Sequence, residues 1–143
     1  DLVERDKATY DEGIKNMSKS LKSNYINQDL NDFKFDSAKK YDFVWFDLCS
    51  KLSVSTIDLI NNATFNLTIR REGYFCITLT KSRENTEELK KFFNTKSNVK
   101  IETIRDKYLV DYIQDLLNVN LLSIVDYQDS YDSRSTPMRL MVF

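Results

Sequence analysis

The chain has 143 residues, of which 41% are hydrophobic and 13% aromatic, so it is long enough for one domain with a single core. Its 21 basic and 22 acidic residues give a net charge of -1, and this balance does not indicate nucleic acid as a partner. The absence of histidine excludes Ser-His-Asp and Cys-His nucleophilic mechanisms and the usual zinc ligand sets. With only two glycines, the chain has no Walker or Gly-x-Gly-x-x-Gly phosphate loop.

The cysteine content and the hydropathy of the sequence bear on the cellular location of the protein. The two cysteines, Cys49 and Cys76, lie in apolar, strand-like stretches and are too few for a disulfide framework. No apolar run approaches the roughly 18 residues that span a bilayer, and the acidic, polar start lacks the layout of a signal peptide. We therefore expect reduced thiols, a cytoplasmic location and no membrane partner.

The first elements predicted are a short strand, a helix and a second short strand. The first strand ends at Glu4. A helix from about Asp6 to Leu21 follows, with Asp6 as its cap, because apolar residues recur on one helical face at Tyr10, Ile14, Met17 and Leu21. A brief strand at Tyr25 and Ile26 comes next, and Asp29 falls just past its end.

The stretch from Tyr41 to Ser50 contains the strand that we expect at the centre of the sheet. Phe43 to Phe46 is a continuous run of large apolar residues. A run that is apolar on both alternating faces is typical of a strand covered on both sides by helices, so Trp45 is expected to serve packing. Asp47 then stands at the carboxyl end of this strand, the edge along which open α/β sheets place their ligands.

The following segments predict a helix, a strand and a helix. Ser55 to Asp58 has a capping pattern that opens the first of these helices. Glu72 to Thr80 begins with a glycine turn and is rich in aromatic and β-branched residues, which predicts a second central strand. Asn85 and Glu88 form a capping box at the start of the next helix.

The last part of the chain predicts a long helix and a hairpin. Residues 101–117 show the clearest helical periodicity in the sequence. Two strand-like runs follow, Leu121 to Tyr127 and Met138 to Phe143, and the polar loop between them contains no helix. Strands joined without a crossover are most simply antiparallel. The whole order predicts an α/β protein with a closing antiparallel hairpin.

This order, with acidic residues at successive strand ends, resembles the class I S-adenosylmethionine-dependent methyltransferases, a Rossmann-like family. The resemblance covers nearly the whole chain but begins at the family's second strand. It implies a mostly parallel sheet with helices on both faces and a C-terminal antiparallel hairpin. Residues 1–143 would form one methyltransferase-like domain that is incomplete at its N-terminus, since the family's first strand and Gly-x-Gly loop have no counterpart.

The resemblance also implies roles for particular residues. Glu4 corresponds to the acid that binds the ribose hydroxyls of S-adenosylmethionine, and a carboxylate can accept both hydroxyl hydrogens at once. Asp29 matches the acid that meets the adenine amino group, with Leu30 against the ring. Asp47 matches the acid that faces the reacting methyl group, where it would orient or deprotonate an acceptor. The sequence does not identify the methyl acceptor.

Departures from the family pattern leave several alternatives open. The missing strand belongs between the strands that end at Glu4 and at Asp47, so an upstream segment has been lost, another chain supplies it, or the sheet has closed over the gap. Asp47 to Ser50 lacks the Asp/Asn-Pro-Pro-aromatic pattern of enzymes that methylate adenine or cytosine amines. The competing function is a catalytically inactive methyltransferase-like module that acts as a protein-interaction or structural subunit. Each acid could also be an ordinary turn former or helix cap.

Overall fold

The computed structural model describes residues 2–16, 25–81, 84–128 and 136–143. Its elements, in chain order, are β1 (Leu2–Glu4), α1 (Lys7–Asn16), β2 (Tyr25–Asn27), β3 (Tyr41–Lys51), α2 (Val54–Thr64), β4 (Ile69–Thr80), α3 (Thr86–Phe92), α4 (Ile101–Thr103), a π-helical turn (Ile104–Tyr108), α5 (Leu109–Leu117), β5 (Ser123–Tyr127) and β6 (Met138–Val142). The predicted long helix is thus continuous over 101–117, with a π-helical turn inside it. No helix in the described ranges combines the length and the apolar character that crossing a membrane requires.

The strands form two sheets, and the class of fold is α/β. β1 and β2 pair in parallel, and a second sheet has the order β3-β4-β6-β5. Within it β3 and β4 are parallel, whereas β6 is antiparallel to both of its neighbours. The predicted antiparallel hairpin is therefore confirmed. The α/β class of the prediction is shown, whereas the four-stranded sheet is mixed rather than mostly parallel, because β6 runs antiparallel to both β4 and β5.

The core lies on one face of the four-stranded sheet. Val44 and Phe46 of β3 pair in register with Phe75 and Ile77 of β4, and all four side chains belong to one buried cluster. The helices add buried residues to the same cluster, among them Ile57, Ile60, Leu89, Leu109 and Ile113. Alternate side chains of the two strands point to the other face of the sheet.

That other face is where the sequence prediction fails. Phe43, Trp45 and Tyr74 are 58%, 52% and 48% exposed. β3, which was expected at the centre of the sheet, is its edge strand in the described structure. Coverage by helices on both faces is likewise not found in the described parts of the chain. The strand has the composition of a buried central strand, but neither a neighbour on its outer side nor a cover over these aromatic rings is described.

Three helix starts illustrate how local chemistry sets the element bounds. Asp6 caps α1, because its Oδ1 accepts the Thr9 N–H at 2.8 Å. α2 begins earlier than predicted, since Ser53, rather than Ser55, accepts the Thr56 N–H. Asn85 caps α3, as predicted, by accepting the Glu88 N–H at 3.3 Å. The predicted end of the first helix, with Met17 and Leu21, lies outside the described residues.

The loop after β2 connects the two sheets through aromatic packing. Phe33 and Phe35 of this loop are buried in the core. The Phe35 ring stacks on that of Phe46 with centroids 6.2 Å apart, and meets the Tyr41 ring edge-on at 5.1 Å. This loop therefore fixes the chain that leaves β2 against β3.

Candidate functional site

Two of the three predicted acids lie together at the carboxyl edge of the small parallel sheet. Glu4 is the last residue of β1 and pairs in register with Asn27, the last residue of β2. The Gln28 N–H donates to the Glu4 carbonyl oxygen at 3.0 Å, so the chain that leaves β2 passes beside the end of β1. Asp29 follows directly. The parallel pairing of two short strands thus brings the acids predicted from separate strand ends to one place.

The Glu4 carboxylate lies at the start of the loop that leads into α1. Its Oε1 accepts the N–H of Asp6 at 2.8 Å, and the side chain is only half-buried. The Asn27 amide donates to the carbonyl oxygens of Glu4 and Arg5 at 2.8 and 3.1 Å, which ties the two strand ends together. Asn27 was not among the site residues predicted from the sequence. The cue that could have identified it is its place at a strand end, two residues before an acid.

Asp29 is held by its own turn and by a basic neighbour. Its Oδ1 accepts the backbone N–H and the side-chain amide of Asn31, each at 2.9 Å. Its Oδ2 lies 3.5 Å from a guanidinium nitrogen of Arg5, whose side chain is 81% exposed. The backbone N–H of Asn31 does most to lower the pKa of Asp29, the Asn31 side chain and Arg5 lower it further, and desolvation partly opposes them. The carboxylate is therefore charged at neutral pH.

Leu30 was predicted to lie against an adenine ring. In the structure its side chain is half-buried and packs against the edge of the hydrophobic core. It follows Asp29 in the chain, so it stays close to the acidic pair. Part of its apolar surface remains available beside Asp29.

Asp47 lies in the other sheet and within a strand. β3 continues to Lys51, so Asp47 is not at the strand's carboxyl end as predicted. The last regular pair of β3 and β4 is Asp47 with Thr78, after which the register shifts before Lys51 pairs with Thr80. The extra residues of β3 in this irregularity prolong the strand beyond the point where the apolar run stops. Asp47 nevertheless marks the end of the regular ladder, and its side chain is exposed.

The face of the sheet that carries Asp47 also carries Trp45 and Thr78. The Trp45 indole N–H donates to the Thr78 hydroxyl oxygen at 2.9 Å, so this ring has a polar partner besides its apolar packing. Cys76 pairs with Trp45 in the register and is buried. Burial raises the pKa of the Cys76 thiol, which disfavours its reactive thiolate form.

Two cavities of the described structure are lined by residues other than the three acids. An open depression of about 350 Å³ lies at the end of α3 and is lined by polar residues that include Lys90, Lys91 and Thr95. A much smaller cavity lies among Leu52, Leu79 and Arg139. Within the described ranges, no group of three His, Cys, Asp or Glu residues could hold a metal ion.

The sequence matches no model of a known protein family, and no curated protein matches it. Function is therefore inferred from the geometry of the strands and of the acidic residues.

Proposed function

We propose that the chain forms a class I S-adenosylmethionine-dependent methyltransferase domain without the family's first strand. The observation that carries the proposal is the strand order, which is β2-β1 in one sheet and β3-β4-β6-β5 in the other. In the family that the sequence resembles, one further parallel strand lies between the equivalents of β1 and β3. The family's last strand is antiparallel and lies between the two strands that precede it in the chain, as β6 lies between β4 and β5.

The adenosine end of the cofactor fits the edge formed by β1 and β2. Glu4 would accept hydrogen bonds from the ribose hydroxyls through its second carboxylate oxygen, since the Asp6 N–H donates to Oε1. Asp29 would accept a hydrogen bond from the adenine amino group once the exposed Arg5 side chain swings aside. Leu30 would supply apolar contact beside it.

The methionine end has no equivalent cradle in the described chain. The described ranges contain no Gly-x-Gly loop whose backbone could approach the amino acid part of the cofactor. S-adenosylmethionine supplies a methyl group on a positively charged sulfur, and transfer needs the acceptor to be aligned behind that group. Asp47, exposed at the end of the β3–β4 ladder, would orient the acceptor by accepting a hydrogen bond from it.

A second candidate is the non-catalytic methyltransferase-like module. One observation favours it: the carboxylates already make bonds typical of turns and caps, Glu4 with the Asp6 N–H and Asp29 with Asn31. Such bonds are sufficient to explain why acids stand at these positions. In this case the strand order would remain from an ancestral enzyme, and the function would lie in an interaction.

Calorimetric titration of the folded chain with S-adenosylhomocysteine, the product form of the cofactor, distinguishes the two candidates. The methyltransferase proposal expects micromolar affinity, and Glu4→Ala should reduce it by about 10-fold to 150-fold, the scale of a lost hydrogen bond to a charged group. Glu12→Ala is the matched control, because Glu12 lies exposed on the neighbouring helix α1. Absence of binding by a folded chain, or equal losses in both variants, would reject the cofactor site.

A further inference from the structure

The end of α3 and the loop that follows it form a strongly basic segment. Residues 89–100 contain four lysines and no acid, whereas the whole chain has a net charge of -1. The proposed methyltransferase site makes no use of this segment. Lysines concentrated in one place make the local potential positive even when the chain as a whole is balanced.

The depression at the end of α3, which we call the α3 depression, lies in this basic segment. Its lining consists of Glu87, Lys90, Lys91, Asn94, Thr95 and Ser97. The helix ends here in a Schellman motif, in which Asn94 has a φ of 49° and its N–H donates to the Lys91 carbonyl oxygen at 3.2 Å. The Thr95 N–H donates to the Lys90 carbonyl oxygen at 2.9 Å. These helix-end oxygens, which would repel an anion, are therefore already bonded.

The loop beside the α3 depression is fixed by packing and by a lysine. Phe93 and Val99 pack against the hydrophobic core on the two sides of the loop. The Lys90 ammonium donates to the Ser97 carbonyl oxygen at 2.5 Å and to the Glu87 carboxylate at 2.9 Å. The Lys90 side chain is only 12% exposed. This ammonium is therefore held in place before any ligand arrives, unlike that of an ordinary surface lysine.

The polar groups in the α3 depression are mainly hydrogen-bond donors. An ammonium has three hydrogens, so the two bonds of Lys90 leave one for a ligand. Lys91 is exposed and lines the same depression. The Thr95 hydroxyl oxygen is buried and has no hydrogen-bond partner among the described residues. A buried hydroxyl without a partner is unfavourable, and an acceptor atom of a ligand would satisfy it.

This set of donors fits a phosphate group better than a carboxylate. A phosphate monoester carries a charge of about -1.5 to -2 at pH 7 and three strong acceptor oxygens, which match two ammonium groups and one hydroxyl. A carboxylate offers one charge and two oxygens. The volume of about 350 Å³ lies at the lower end of the roughly 300–1,000 Å³ of small-ligand sites. It leaves space for a phosphate and a small organic group such as a sugar.

We propose that the α3 depression binds the phosphate group of a small phosphorylated ligand. Lys90, Lys91 and the Thr95 hydroxyl donate to the phosphate oxygens, while Glu87 keeps its bond to Lys90 and so holds that ammonium in position. The lining residues include none of the acids assigned to the methyltransferase site. The inference therefore does not depend on the proposed function.

NMR titration of the folded chain with ribose 5-phosphate tests the proposal. The chemical shifts of the backbone amides are followed at constant ionic strength, and ribose, which lacks the phosphate, is the control ligand. We expect saturable shifts at residues 90–97 with ribose 5-phosphate and none with ribose. Saturable shifts with both ligands, saturable shifts with neither, or shifts confined to another region would overturn the proposal.

Three variants test the donors. Thr95→Val and Lys91→Gln should each weaken binding of ribose 5-phosphate by about tenfold or more, the scale of a lost hydrogen bond to a charged group. Lys40→Gln is the matched control, because it removes the same charge from an exposed lysine that does not line the α3 depression. Unchanged affinity in Thr95→Val or Lys91→Gln would overturn the assignment of donors. An equal loss in Lys40→Gln would show attraction by net charge alone and would also overturn it.

Two further measurements separate this role from other roles of the same residues. Because the Thr95 hydroxyl has no partner among the described residues, Thr95→Val should not lower the urea midpoint; a lower midpoint would show that the hydroxyl supports the fold and would overturn its role in binding. Tighter binding of a single-stranded oligonucleotide at residues 90–97 would assign the surface to nucleic acid instead. S-adenosylhomocysteine carries no phosphate, so its titration is a separate measurement and the two proposals can fail independently.

Discussion

Replacing Gly73 by alanine should destabilise the fold, because backbone atoms occupy the space that a side chain would need. A Cβ at this position would lie 2.9 Å from the carbonyl oxygens of Tyr41 and Asp42 and 2.8 Å from a methyl carbon of Ile69. The close approach arises where the β3–β4 register shifts: β3 advances by two residues between successive pairs, while β4 advances from Ile69 to Tyr74. Two of the three contacts are with backbone of a paired strand, so relief requires the strands to separate.

The expected change in stability of Gly73→Ala follows from two opposing effects. Overpacking lowers the free energy of unfolding by about 1–3 kcal/mol. Replacing a glycine also restricts the unfolded chain, which raises the free energy of unfolding by about 0.4–1 kcal/mol. We therefore expect Gly73→Ala to lower the free energy of unfolding, measured by urea denaturation, by about 1–2 kcal/mol. Gly13→Ala is the matched control: Gly13 lies inside helix α1, where alanine is favoured by roughly 0.5–1 kcal/mol. If Gly73→Ala were as stable as the parent while Gly13→Ala behaved as expected, the close approach of β3 and β4 would be refuted.

Two further predictions concern charged groups. Arg105 donates from Nε to Glu84 at 3.0 Å, and their side chains are 11% and 2% exposed. Glu84→Gln should cost about 3–5 kcal/mol in urea unfolding, because it breaks a buried ion pair by removing the charge of one partner. Asp111→Asn, in an exposed pair, should cost far less, and equal losses would contradict the assignment. The folded-state pKa of Asp29 is lowered from its ordinary 3.8, so the ionised form stabilises the fold above that pH and the contribution is lost as pH falls through the folded pKa. Asp29→Asn should therefore be less stable than the parent at pH 7 and converge with it in acid, whereas a difference independent of pH would contradict this.

The elements themselves were largely predictable because local patterns determine them. The helical periodicity over 101–117 reflects a single apolar face, and the structure buries Leu109 and Ile113 from it. The π-helical turn at Ile104–Tyr108 was not predicted, since it changes the hydrogen bonding of the helix without breaking the apolar pattern. The cap of α2 was placed two residues late because Ser53 and Ser55 are chemically alike. Only the geometry shows which of them accepts the Thr56 N–H.

The candidate site was predicted less completely, because its geometry depends on pairing between distant segments. Glu4 and Asp29 were each located from a strand end, and their proximity follows from the parallel pairing of β1 and β2. The role of Asn27 could not be read from the sequence, since its amide bonds depend on the register of that pair. The prediction that Asp47 ends β3 was wrong. The strand continues past Asp47 through an irregular register that its apolar run does not indicate.

The edge position of β3 links the failed prediction of a central strand to the incomplete site. The apolar pattern of a strand predicts which of its faces are buried, and the observed sheet shows which faces are covered. For β3 the pattern predicts two buried faces, whereas the structure leaves one face exposed. The expectation that the sheet closes over the position of the family's first strand is not met in the described residues, since β1 and β3 belong to separate sheets there. One strand between them would set β1 and β3 two strand spacings apart, about 10 Å. In the proposed methyltransferase arrangement, that strand would fix the distance from Glu4 and Asp29 to Asp47 and would position the three acids around a single ligand.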